Sequence, residues 1–224
     1  MTVKHVSTER QMIERRNLLR WALAGSAGLA LPLAALRGEG SPGAPGDGEA
    51  WLDAIAKKKF RAFLDIRSFH PGGQPYTKVT NLMTALTRSH GADASEVGIA
   101  FGASGDGLAH VIGPDFWEEY QVGSYIAPNG RADDAAAVRA NPRKWGDLAG
   151  EGVRQLRSSD VRVLACRNTI ARWSRDLSAK SGETPAAVVA KIEKGLHAGV
   201  EPVPAMIAAA VLAQLRDVPY VTIG

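Results

Sequence analysis

Along residues 50–224 the apolar positions switch between short runs of four to seven residues and stripes that recur every three to four, with turn residues between them. The first pattern marks strands and the second marks helices resting on a sheet. A short amphipathic helix carrying Trp51, Leu52 and Ile55 opens the series, and Phe60 to Ile66 reads as the first strand. The Gly/Pro loop from His70 to Pro75 breaks the chain. Val79, Leu82, Met83 and Leu86 then fall at i, i+3, i+4 and i+7 and predict a helix, and Val97 to Phe101 reads as the second strand. Residues 102–147 have the weakest pattern. They hold Gly105-Asp106-Gly107, an apolar segment from Leu108 to Ile112, a short helix through Trp117 to Tyr120, and then a long polar loop.

Asp147 caps the next expected helix, which carries Leu148, Val153 and Leu156. Val161 to Cys166 is a short run, apolar except for Arg162, that looks like a central buried strand. Ile170, Trp173 and Leu177 place a helix directly after the cysteine. Thr184-Pro185 is an N-cap followed by proline at the first helical position, opening a helix with Val188, Ile192 and Leu196 inward. Val200 to Val203 is a fourth strand. From Pro204 the chain is apolar almost all round to Leu215, so this helix is expected to be covered on both sides, by residues 103–147 or by a second subunit. Tyr220 to Ile223 closes the series. Strands alternating with helices predict a three-layer α/β/α fold on a mostly parallel sheet of about five strands.

The N-terminal region has a different character. A basic stretch ends in Glu14-Arg15-Arg16-Asn17-Leu18-Leu19-Arg20, an uncharged apolar stretch runs from Trp21 to Leu36, and residues 38–49 are a Gly/Pro-rich linker too polar to fold. The paired arginines resemble a twin-arginine signal, an address read by a translocase, so residues 1–37 are expected to direct export to the periplasm or beyond. The alternative is an uncleaved anchor, for which the apolar stretch is shorter than the ~20 residues a spanning helix prefers. This region also accounts for the net charge of +4. Residues 1–37 hold six basic and two acidic groups, and residues 38–224 carry 21 of each. Residues 38–224 are therefore neutral overall, which disfavours nucleic acid as a partner.

Few residues offer chemistry. One cysteine allows no internal disulfide. His70, His90, His110 and His197 are scattered without ligand spacing, so no metal is expected. Gly102 to Asp106 lacks the second glycine of a nucleophile elbow and is no dinucleotide or phosphate loop, so no cofactor is assigned. Cys166 stands apart because of its position, at the carboxyl end of a central strand with a helix starting beside it. Ligands bind at that edge of open α/β sheets. The helix start and Arg167 favour a nucleophilic thiolate, and the plainer alternative is a buried cysteine that acts as a small hydrophobe. The loop carrying His70, Gly72 and Gly73 is expected to face Cys166, Arg167 and Asn168 across a ligand site.

Val163-Leu164-Ala165-Cys166-Arg167-Asn168, then Gly199-Val200-Glu201-Pro202-Val203-Pro204-Ala205, and finally Ala213-Gln214 before Tyr220-Val221-Thr222-Ile223 resemble the DsrE/DsrF-like family, and its exported branch in particular. The order of elements is similar over residues 58–224 and the motifs are most specific over 153–224. The resemblance implies a homo-oligomer and a sulfur atom carried as a persulfide on Cys166. The chain differs from the family's cytoplasmic members in its leader and in the length of residues 103–147. Three functions follow as expectations. They are a periplasmic sulfur carrier or sulfurtransferase-like protein using Cys166, a protein that binds a small sulfur-containing or other ligand without turnover, and a structural subunit. Whether there is enzymatic turnover is left open.

Overall fold

The computed structural model describes residues 50–127 and 132–223; the expected leader and linker lie outside the described residues. Five strands form one all-parallel sheet in the order β4-β3-β2-β1-β5. They are β1 (Phe60–Ile66), β2 (Val97–Ala103), β3 (Arg162–Cys166), β4 (Val200–Val203) and β5 (Tyr220–Ile223). Helix α1 (Ala50–Ala56) precedes β1. Helix α2 (Gln74–Thr84) continues into a π-helical turn at Ala85–Ser89 and joins β1 to β2. The β2–β3 connection is a 3-10 turn (Gly105–Val111) followed by α3 (Pro114–Glu119), α4 (Val122–Ile126), α5 (Ala132–Ala140) and α6 (Pro142–Ser158). Helices α7 (Arg167–Ser181) and α8 (Pro185–Gly195) lead to β4, and α9 (Met206–Leu215) leads to β5.

The sheet faces are covered unequally. From β1 to β4 each strand is laid down on the same side of the one before, so right-handed crossovers put every connecting helix on one face. The large apolar cluster lies there, with Ile99, Phe101, Val163 and Ala165 from the sheet and Trp117, Leu156 and Trp173 above them. The return from β4 to β5 runs the other way and sends α9 to the opposite face, where α1 joins it. Phe63, Ala100, Leu164 and Cys166 pack there against Trp51, Leu52, Met206 and Ala210. Gly102 makes close packing possible on that face, because a Cβ at this position would come within 2.6 Å of the Met206 sulfur.

Three expectations are corrected. The short helix expected through Trp117 to Tyr120 is α3, but the polar loop expected after it holds the helices α4 and α5. Helix α6 starts at Pro142 and is capped by Asn141, whose side-chain oxygen accepts the Lys144 N–H at 3.2 Å, so Asp147 is an interior residue. The inward face of α6 is built from Gly146, Ala149, Gly150 and Gly152 as well as Val153 and Leu156, and small residues leave little apolar period to read. The described residues of 103–147 do not cover α9, since their core residues belong to the other face. Ile207, Val211 and Leu215 form an exposed stripe along α9, 69%, 51% and 76% accessible. Thr184 caps α8 as expected, accepting from the Ala187 N–H at 3.3 Å. Leu196 lies just past the end of α8, where it bridges to Ile112.

His110 is built into the crowded face. It is 2% exposed, its Nε2 accepts the His70 N–H at 3.1 Å, and Phe69 stacks on its ring at 4.8 Å. Its carbonyl accepts from the Tyr76 hydroxyl. Burial holds the imidazole neutral down to about pH 3, against an ordinary value of 6.5. Because the folded value is depressed, the unfolded chain binds the extra proton first. Stability therefore falls as pH drops from 6.5 towards 3, by up to ~1.4 kcal/mol per pH unit from this group. His110→Gln keeps an acceptor for His70 and cannot charge. Denaturant unfolding between pH 4 and pH 7 should give a shallower pH slope for this variant, and equal slopes would show that His110 does not titrate in this way.

Candidate functional site

The carboxyl ends of the strands open onto a cleft of about 290 Å³. Its walls come from separate parts of the chain: Asp65 and Arg67 at the end of β1, Ser104 and Gly105 after β2, Cys166 at the end of β3, the first turns of α7, and the start of α9. The sheet registers explain how these meet. Asp65 pairs with Gly102, and Gly102 with Leu164, so Asp65, Leu164 and Cys166 point to the same face.

Cys166 is the last residue of β3 and the N-cap of α7, and its side chain caps none of that helix's amides. The thiol is 4% exposed, and its Sγ accepts the Met206 N–H at 3.4 Å. Asn168 and Thr169 in the first turn of α7 line the cleft beside it, and the Thr169 hydroxyl accepts the Gly105 N–H at 3.1 Å. That bond ties the loop after β2 to the helix start.

Asp65 is the other polar group at the floor of the cleft. It is 2% exposed and accepts hydrogen bonds from the Ser104 hydroxyl and the Tyr220 hydroxyl, each at 2.9 Å. Arg67 lies 3.8 Å away. Burial raises the carboxyl above its ordinary range, and the two hydroxyls and Arg67 offset only part of that rise. Asp65, Ser104, Arg67, Arg172 and Tyr220 were not singled out from the sequence. Asp65 does leave a signal there, as a charged residue next to last in its strand, directly after the apolar run Ala62-Phe63-Leu64.

The residues expected from the sequence divide into two groups. Cys166 and Asn168 line the cleft; Arg167, His70, Gly72 and Gly73 are not among its lining residues. The Arg167 guanidinium lies 3.8 Å from Glu193 on α8. His70 joins the His110 network, and burial and Lys78 lower its pKa. Gly72 and Gly73 have φ of 84° and 72° and turn the chain into α2, with Gly73 as its N-cap, a backbone need that explains both glycines without a ligand. Among the described residues, no group of three His, Cys, Asp or Glu side chains is placed to hold a metal ion. Comparison of the chain with protein-family models, curated proteins and solved structures gave no match.

The ionisation of Asp65 has a measurable consequence. Its folded value lies above the ordinary 3.8, so the folded protein holds this proton more firmly than the unfolded chain. The favourable linkage is complete below pH 3.8 and is lost as pH rises through the folded value. Asp65→Asn removes the cost of ionising a buried carboxyl at neutral pH, keeps an oxygen to accept from one of the two hydroxyls, and offers its NH2 as a donor to the other. The destabilisation of this variant should be smaller at pH 7 than at pH 3.5, read by chemical denaturation at both values. A penalty independent of pH would mean that Asp65 titrates alike in both states.

Proposed function

We propose that this chain is an exported DsrE-like protein that carries sulfur as a persulfide on Cys166. The observation that carries the reading is the place of the thiol: it ends a central parallel strand, heads a helix, and lines a cleft together with Asp65, Arg67, Asn168 and Arg172. Helix starts stabilise anionic sulfur, and a persulfide extends its outer sulfur beyond Sγ, towards the first turn of α7. The motif around Cys166 and the later Gly199–Ala205 segment support the family assignment, and Arg15-Arg16 before an uncharged stretch supports export by the twin-arginine route.

The burial of Cys166 favours a second reading, a protein that holds a small ligand in the cleft without turnover. The two differ in whether Cys166 gains sulfur. Incubation of the native protein with a small-molecule persulfide or polysulfide should add one sulfur atom to the intact mass, and Cys166→Ser should show no addition. If iodoacetamide and persulfide both leave Cys166 untouched until the protein is unfolded, the carrier reading fails and the binding reading stands.

Export is tested separately. Replacing Arg15 and Arg16 by Lys keeps the charge and removes the guanidinium pair that the translocase reads. Folded precursor should then accumulate in the cytoplasm, and unchanged export of the double variant would overturn the twin-arginine assignment.

A further inference from the structure

The cleft beside Cys166 carries two guanidinium groups that the sulfur-carrier reading does not by itself require. Arg67 follows β1 and Arg172 lies one turn into α7, so they arise from elements far apart in sequence, and both line the same cavity. Both side chains are exposed, and their ion pairs are long, Arg67 to Asp65 at 3.8 Å and Arg172 to Asp106 at 3.6 Å. The Asp65 carboxyl is already engaged by the Ser104 and Tyr220 hydroxyls at 2.9 Å each, closer than the Arg67 guanidinium at 3.8 Å. At the same rim the first turn of α7 has no side-chain cap. A volume of about 290 Å³ is at the small end of ligand pockets, which run from about 300 to 1,000 Å³.

We propose that this cleft holds a small sulfur oxyanion, with Arg67 and Arg172 taking up its charge and Asn168 and the start of α7 its oxygens, so that the sulfur donor to Cys166 is a thiosulfonate anion of the thiosulfate type. Guanidinium forks match the oxygens of such anions, and amides at a helix start add further donors. The proposal rests on the carrier reading for the transfer step and on the cleft alone for binding. In the transfer the Cys166 sulfur attacks the outer sulfur of the anion. The new Sγ–S bond forms as the bond from that sulfur to the sulfonate breaks, and the bonding electron pair leaves with sulfite. The thiol proton leaves on the sulfite as hydrogensulfite. Cys166 is left as a persulfide anion, and no external oxidant or reductant is used.

Titration calorimetry with thiosulfate, and with sulfate as an anion that has no sulfur to transfer, tests the site on the full chain. Wild type and Cys166→Ala should bind both anions. Arg67→Gln and Arg172→Gln should each weaken binding by about tenfold or more, while Arg167→Gln, whose side chain pairs with Glu193 outside the cleft, should bind as wild type. No heat from either anion at millimolar concentration would overturn the proposal, as would binding that depends on Arg167 and not on Arg67 or Arg172. Loading of Cys166 by polysulfide in the absence of anion binding would sink the oxyanion site and leave the carrier reading intact. Anion binding without sulfur addition from any donor would do the reverse.

Discussion

The architecture depends on the reversal of strand order at β1. Four strands step in one direction, and the fifth returns to the far side of the first. Because parallel crossovers are right-handed, this one reversal decides which helix covers which face. It puts α2 to α8 on one side and leaves α1 and α9 for the other. It also makes β1 the strand whose two neighbours are reached by crossovers of opposite direction. The connections that leave the carboxyl ends of the neighbouring strands β3 and β4 therefore go to opposite faces, α7 to one and α9 to the other, and a crevice opens between them. The cleft lined by Asp65, Ser104 and Cys166 lies along that edge.

Asp65 secures the same place. A buried carboxyl is costly unless its oxygens are served, and here the donors come from the end of β2 and from β5. The carboxyl thus ties together the strands on both sides of β1 where the reversal occurs. Cys166 is held in a comparable way by a backbone amide from the start of α9. Two polar side chains on one sheet face therefore fix the loops that form the cleft, and the apolar packing of Phe63, Leu164 and Met206 lies immediately beneath them.

Strands and long helices were legible because their burial is one-sided and their apolar residues are large. The stripe Ile170, Trp173, Leu177 and the cap Thr184-Pro185 are visible in the residue order alone, and so is the place of Cys166 at a strand end. Residues 102–147 were legible only at the short helix through Trp117, because α6 packs on glycine and alanine and because α4 is too short to repeat a period. The site was half legible. Cys166 and Asn168 adjoin in sequence and meet the cleft together. Asp65, Ser104, Arg172 and Tyr220 are brought to it by register and by crossovers, which no local pattern records. The glycines of the 70–74 loop suggested a ligand, whereas their positive φ values answer a turn.

The Cys166 sulfur is engaged from the start of α9. Met206 donates its amide to the thiol sulfur while its own side chain sits over Gly102, 3% exposed. The next residue, Ile207, lines the cleft and begins the exposed stripe that continues through Val211 and Leu215. One turn of helix therefore couples three things: the hydrogen bond to the sulfur, the packing beneath the sheet edge, and an open apolar surface. A larger side chain at position 102 would push Met206 off the sheet and alter the thiol without touching it. The absence of a side chain at Gly102 is thus part of what sets the depth of the thiol.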